Sequence, residues 1–272
     1  MTLKNIWILA VFVLLFSSCD ECFEYSVYSE HVDDNKKNTT EKNIKELRKK
    51  NSDTFSDFSV YFLSDTHIYY KELRKAVKKM NSLKNDADFV VHCGDISNEG
   101  LFKEYEFTWN LMNDLHLPYL TVIGNHDLVA NGRAVYKSMF GKENYTFTYK
   151  NCKFVFFDDN VWENTVVEPD FQWLKQELCD DTQEYTHVFL ISHVPYWDEM
   201  FYNSFKIVFK SILEESKVNL CIHGHAHRPE TRTEKLDNGK DVRFLVTGSI
   251  RERIVRRLDI KQDTVIINDV KF

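Results

Sequence analysis

Five short apolar runs alternate with amphipathic stretches along this 272-residue chain, and that alternation predicts an α/β fold. The runs lie at residues 59–63, Phe89–Cys93, 119–123, 188–191 and 220–222, and each leads within a few residues to a polar block carrying Asp, Asn or His. Three of those blocks, at Asp65, Asp95 and Asn125, fall 30 residues apart. That interval suits successive strand-helix-strand units, which bring strand ends side by side. Composition supports a buried core, with 43% hydrophobic and 28% charged residues, so neither disorder nor a membrane-embedded body is indicated. The length suits one domain of about 200–250 residues, with little room for another.

The elements follow in chain order. Lys4 precedes an apolar run at residues 6–16 that is too short to cross a bilayer yet suits the central part of a secretory signal. Phe16-Ser17-Ser18-Cys19 resembles a bacterial lipobox, with Phe16 where Leu is favoured. Ordinary cleavage after Ser18 fits less well, because Phe16 stands where a small residue is wanted. Residues 1–18 are therefore expected to be a lipoprotein-type signal peptide and Cys19 the lipidation site. The membrane is then a partner through a lipid anchor, and the expected location is a bacterial cell envelope, in the periplasm or at the outer membrane. Residues 19–57 read as a polar tether partly packed on the domain, with a short helix at 39–50 and Thr40 as its candidate cap.

The domain proper is expected over 58–272. Its helices are predicted at 70–83, 101–115, Phe171–Leu178 and 199–215, and aromatic strands at Tyr145–Tyr149 and 154–157. Those rings read as core and cross-strand pairs rather than a platform for stacking bases. Six cysteines in a chain this long make no disulfide framework, although an exported location would permit a bridge. Cys93 and Cys221 end apolar runs and read as small buried hydrophobes.

In open α/β sheets ligands bind beyond the carboxyl ends of strands, which is where the polar blocks fall. Their carboxylates, amide oxygen and imidazoles are donors suited to manganese, iron or zinc. His193 alone, before Val194-Pro195, would more often be an ordinary loop residue; it gains meaning from the other blocks. His225 and His227, two apart, can share one face of an extended segment. His223 is expected to point away, and His31, His92, His116 and His187 to have structural or solvent-facing roles.

Asp65-Thr66-His67, Gly94-Asp95, Gly124-Asn125-His126-Asp127, His193 and Gly224-His225-Ala226-His227, in that order, resemble the pattern of the calcineurin-like metallophosphoesterases. The likeness runs from about residue 59 to about residue 250. It implies a four-layer αββα sandwich, two mixed β-sheets face to face with helices outside, and the strand order rests on it. It also implies two metal ions, manganese, iron or zinc: one held by Asp65, His67 and His227, the other by Asn125, His193 and His225, with Asp95 bridging. Two such ions can hold a bridging hydroxide as nucleophile against a phosphate ester. His126 lies beside a ligand without being one, and is assigned as general acid to the leaving oxygen. Asp127 either orients that ring or caps the following segment.

Two departures narrow the branch. The phosphate-binding Arg that follows the Gly-Asp block in protein serine/threonine phosphatases is replaced here by Glu99, within Gly94-Asp95-Ile96-Ser97-Asn98-Glu99. The Tyr that purple acid phosphatases place three residues after the bridging Asp is Asn98. The expected substrate is a small phosphomonoester or phosphodiester, read by loops at 129–141, 160–168 and 195–203. A nuclease of the same superfamily is an alternative, but net charge −7 gives no strong nucleic-acid signal, and Arg251, Arg253, Arg256 and Arg257 read as a solvated strand edge. A non-catalytic surface lipoprotein using the fold as a binding scaffold is the third reading. The full ligand set and His126 argue against it.

Overall fold

The computed structural model describes residues 26–83, 86–161, 168–180 and 182–272. The expected signal peptide, Cys19 and Cys22 lie outside them, as do residues 162–167 of one expected substrate loop. Among the described residues eleven strands form two sheets. In the first, β1 (Phe58–Leu63), β2 (Phe89–Cys93) and β3 (Tyr119–Val122) run parallel, and β10 (Ile254–Lys261) and β11 (Thr264–Lys271) continue it antiparallel on the other side of β1. In the second, β4 (Tyr145–Tyr149) lies antiparallel to β5 (Cys152–Phe156), which continues parallel through β6 (His187–Ile191), β7 (Leu220–His223) and β9 (Asp241–Val246). β8 (Glu230–Lys235) closes the far edge antiparallel to β9.

Side-chain alternation makes the layers. In β1, Val60 and Phe62 face the space between the sheets with Phe89, Val91, Phe154 and Phe156, while Tyr61 and Leu63 face outward with Leu73, Val77 and Tyr136. In β5, Val155 turns the other way, against Leu174 and Leu213. Helices α2 (Tyr70–Ser82), α3 (Phe102–Met112) and α4 (Gly132–Met139) supply the outer partners of the first sheet, and α5 (Phe171–Leu178) and α6 (Asn203–Glu215) those of the second. The result is the αββα sandwich. α1 (Thr39–Arg48) packs where edge strands β3 and β4 meet, with Leu47 in the inter-sheet core and Asn43 Nδ2 donating to Tyr119 O at 2.7 Å. It covers the open edge. Further upstream, Val32 is buried against the first sheet's outer core, and buried Lys36 pairs with Glu106 of α3.

Several local expectations are corrected. The helix at 39–50 stops at Arg48, and its cap position is Asn38, left-handed at φ 54 and without a side-chain capping bond. Thr40 lies inside the first turn, with its N–H directed to Phe140 O, so it does not cap. α6 starts at Asn203 rather than 199, because Pro195 opens a turn in which Asp198 N–H donates to Pro195 O at 2.8 Å. The stretch at 129–141, read as a loop, holds α4. The arginine cluster divides: Arg251 and Arg253 are exposed ahead of β10, but Arg256 and Arg257 are not a solvated edge. Edge strand β11 covers β10, Arg256 is buried and donates to Thr231 Oγ1 at 2.9 Å in the other sheet, and Arg257 pairs with Asp86 and Asp259 at 2.5 and 2.8 Å.

Candidate metal centre

The polar blocks fall at the carboxyl ends of β1, β2 and β3 in one sheet and β6 and β7 in the other, so the site straddles the seam between the sheets. Backbone bonds weave the blocks together. Asp65 N donates to Gly94 O at 3.0 Å, Thr66 N to Asp95 O at 2.9 Å and Gly224 N to His193 O at 3.0 Å. Close approach requires glycine at two of these turns: a Cβ on Gly94 would come within 2.4 Å of His193 Nδ1, and one on Gly124 within 2.2 Å of Asp95 N and Oδ1. Asp65, His67, Asp95, His225 and His227 all have left-handed backbones, with φ between 42 and 65°. Such conformations are unfavourable for residues with a Cβ and cluster at functional sites.

Two groups of ligand atoms result, each spanning no more than 4.8 Å: Asp65, His67, Asp95 and His227, and Asp95, His193 and His225. Asp95 belongs to both. Its Oδ2 lies 3.5 Å from His67 Nε2 and 3.2 Å from His193 Nε2, while Asp65 Oδ1 lies 3.5 Å from His227 Nε2. Asn125 joins the second group, its Oδ1 3.1 Å from His225 Nδ1. The seven residues assigned to metal are thus brought together. They fit metal ions on a further ground: both ring nitrogens of His67 and Nε2 of His193 are buried without a hydrogen-bond partner, an expensive state that coordination to a metal ion would relieve. His193 Nδ1 donates to Cys93 O at 2.7 Å, which leaves Nε2 as the coordinating atom.

Electrostatics follow from this crowding. Burial opposes ionisation of Asp95, but His193 and His67 overcome it and hold the carboxyl below its usual range. Burial equally opposes charge on His193, and Asp95 and Asp65 raise it to about 10. His67, with burial dominant, is pushed down. Without a cation, the carboxylates therefore recruit a proton to the site. Coordination would displace it.

His126 lies outside both groups. Its ring sits edge-on to His67 with centroids 4.6 Å apart, its backbone N–H donates to Asp95 Oδ1 at 3.0 Å, and ring Nδ1 donates to Asn98 O at 2.8 Å. Asp127 neither orients that ring nor caps a helix. Its carboxylate accepts from Ile96 N, Ser97 N, Ser97 Oγ and Gly124 N at 2.9–3.1 Å, stapling the loop after β2 to the loop after β3. His223 is buried, bonded through Nδ1 to Ser192 Oγ at 3.0 Å and stacked on Phe244. Its parity with His225 is not carried through, because the chain leaves the extended conformation at His225. His92 and His187 are structural, reaching Thr66 Oγ1 and Lys261 O at 2.7 Å each, and His31 and His116 are exposed.

Two carboxylates went unread in the sequence. Asp159 Oδ1 accepts from His193 N and Val194 N at 3.1 Å each, and burial raises its pKa to about 7. Asp198 Oδ1 lies 3.5 Å from His225 Nε2. A signal existed for the first: Asp158-Asp159-Asn160 follows an apolar strand just as the recognised blocks do.

Fold and site together are those of the metallophosphoesterase class. The chain belongs to the calcineurin-like phosphoesterases, whose family model matches residues 58–229. Among curated proteins it is similar to a probable cyclic nucleotide phosphodiesterase of Xenorhabdus bovienii, 24% identical over 157 residues, covering 53% of this chain and 62% of that protein. It is also similar to a probable glycerophosphodiester phosphodiesterase of Arcobacter nitrofigilis, 31% identical over 81 residues, covering 25% of this chain and 30% of that protein. The chain thus spans less than two thirds of these relatives' lengths. Among solved structures, a purple acid phosphatase from yellow lupin shares the fold with TM-score 0.65 at 14% identity, over 80% of this chain and 52% of that one.

Proposed function

We propose that the protein hydrolyses a small phosphate ester at a dinuclear metal centre, with Asp65, His67 and His227 holding one ion, Asn125, His193 and His225 the other, and Asp95 bridging. When bound, the ions would neutralise phosphoryl oxygens and activate the attacking water. The observation that carries the reading is the place of Asp95 Oδ2, within 3.5 Å of imidazole nitrogens from both groups.

The chain's own residues account for the rest. Asp127 and the backbone bonds fix the loops after β1, β2 and β3, so the ligands need little rearrangement. His126, whose Nδ1–H is tied to a carbonyl, would act in its imidazolium form, passing the second proton from Nε2 to the leaving oxygen as the P–O bond breaks and remaining as the neutral ring. A phosphodiester is the favoured substrate, supported by the names of the two curated relatives. Manganese, iron or zinc serves as the cofactor, and Cys19 carries the lipid that holds the enzyme in the cell envelope. No helix among the described residues is long and apolar enough to cross a membrane.

The test is to strip the protein of metal, restore manganese, iron or zinc separately, and assay chromogenic mono- and diesters. Hydrolysis that tracks metal loading is expected, with bis-substituted esters cleaved faster than monoesters. Two equivalents of tightly bound metal with no turnover of any ester would overturn the reading in favour of a binding scaffold.

A further inference from the structure

Helix α2 divides into an apolar and a cationic face. Leu73, Ala76, Val77 and Met80 are buried against the first sheet's outer core, and the opposite side carries Lys71, Arg74, Lys75, Lys78 and Lys79, at the three- and four-residue spacing that lines one side of a helix. None of these five cations pairs with a carboxylate among the described residues. The helix's single acid, Glu72, faces Arg253 at 3.8 Å. α1 shows the ordinary arrangement instead, Lys45 pairing with Glu41 at 2.8 Å and Lys49 with Glu46 at 2.6 Å. Lys71–Lys75, Arg74–Lys78 and Lys75–Lys79 are like-charged pairs four residues apart, which weaken a helix in isolation and are relieved by an anionic surface. They persist on a chain of net charge −7.

Apolar side chains border this face. Phe107 of α3 is 52% exposed and meets Tyr70 edge-on with centroids 5.3 Å apart, and Ile68, between the ligand His67 and the helix, is 59% exposed. At the other border Arg253 and the exposed Arg251, which lies 5.8 Å over the Tyr69 ring, extend the positive charge. Cations beside exposed aliphatic and aromatic groups suit a bilayer interface, where headgroup phosphates take the charge and the layer beneath takes the apolar groups. A nucleic-acid backbone matches the charge but offers nothing to Ile68. We infer that the cationic face of α2, with Ile68 and Phe107 at its edge, docks on an anionic phospholipid surface. α2 begins three residues after His67, so docking sets the metal centre beside the headgroups. The inference rests neither on bound metal nor on a lipid at Cys19.

The experiment measures partition of the full-length chain onto vesicles of phosphatidylcholine alone and of phosphatidylcholine with phosphatidylglycerol. Any contribution of residues 1–25 is common to all variants, so differences between variants in the ratio of the two partition coefficients report the cationic face. Lys71→Gln/Arg74→Gln/Lys78→Gln removes three exposed charges and keeps helix propensity, and Lys42→Gln/Lys45→Gln/Lys49→Gln removes three at α1. Each cation at an anionic surface strengthens binding about fivefold, so the α2 variant should lose roughly 100-fold of its preference for phosphatidylglycerol while the α1 variant keeps it. An amine-reactive label should find Lys71, Lys75 and Lys78 of wild type shielded on anionic vesicles and Lys45 still reactive. That footprint is taken on wild type, so it decides even where a variant is unstable. Equal losses in the two variants, no preference in wild type, or unshielded α2 lysines would overturn the inference. Tighter binding of the same lysines to DNA than to anionic vesicles would overturn it too, in favour of a nucleic-acid partner.

Discussion

His126 Nδ1 donates to the backbone carbonyl of Asn98 at 2.8 Å, so the proton acceptor behind the proposed general acid is a peptide oxygen rather than a carboxylate. That carbonyl is itself held from behind. Glu104 Oε2 accepts from Asn98 N, Glu99 N and Leu101 N at 2.7–3.3 Å, clamping the loop from the start of α3.

An acid in that position matters most when the leaving alkoxide is poor. His126→Ala should keep both metal ions yet lose about 10²–10⁴-fold activity on alkyl phosphate esters, with a much smaller loss on nitrophenyl esters, whose leaving group needs little protonation. Parallel kinetics on the two ester types with metal analysis of the variant provide the check. Equal losses, or loss of a metal, would make His126 a ligand or a phosphate-binding residue.

Sharing of Asp95 predicts unequal effects of ligand removal. Asp95→Asn should lower occupancy of both ions, whereas His193→Ala should chiefly weaken one, because each change removes direct coordination energy only where the residue coordinates. Elemental analysis of the purified variants separates the cases. Two full equivalents at wild-type affinity in Asp95→Asn would count against bridging.

The buried carboxyl of Asp159 predicts a pH effect on stability. Burial raises its folded pKa to about 7 from the ordinary 3.8 of an aspartate, so between those values the folded state binds a proton that the unfolded state has lost. Stability from this group is therefore present below about pH 4 and declines as pH rises toward 7. In metal-free protein, Asp159→Asn should flatten that decline. Thermal melts of both proteins from pH 4 to 8 measure it, and identical pH profiles would show that Asp159 ionises freely in the folded protein.

Cys19→Ala should release the protein from the membrane fraction, since each buried CH₂ of an acyl chain contributes about 0.8 kcal/mol to retention. Cell fractionation and the mature N-terminus decide this. Unchanged membrane retention would mean that something other than a lipid on Cys19 anchors the chain.

What was legible in the sequence depended on how local the cause was. Strands β1, β2, β3, β6 and β7 are doubly covered and therefore read as continuous apolar runs, and their ends carry the ligands. β8 reads Glu-Thr-Arg-Thr-Glu-Lys because it is an exposed edge, a composition that hides a strand. Arg256 could be read as a surface charge only until β11 and Thr231 were seen to enclose it. The role of Asp127 was equally non-local, since its four donors come from two loops. Asp198 escaped notice for the same reason: its neighbour at the site, Nε2 of His225 at 3.5 Å, is 27 positions away.

The seam position of the centre couples chemistry to the architecture in a way neither sheet has alone. At the opposite end the sheets are closed by Phe58 against Tyr149, ring centroids 5.3 Å apart, and by Tyr149 Oη donating to Asp88 at 2.9 Å. That end is a spine. The ligand end is where two pages meet, with β1, β2 and β3 on one side and β6 and β7 on the other, and cations shared across it would act as a clasp. Stripping the metal should therefore raise hydrogen exchange first at Asp65–Thr66, Gly94–Asp95 and His193, and leave Phe58, Phe89 and Tyr149 protected.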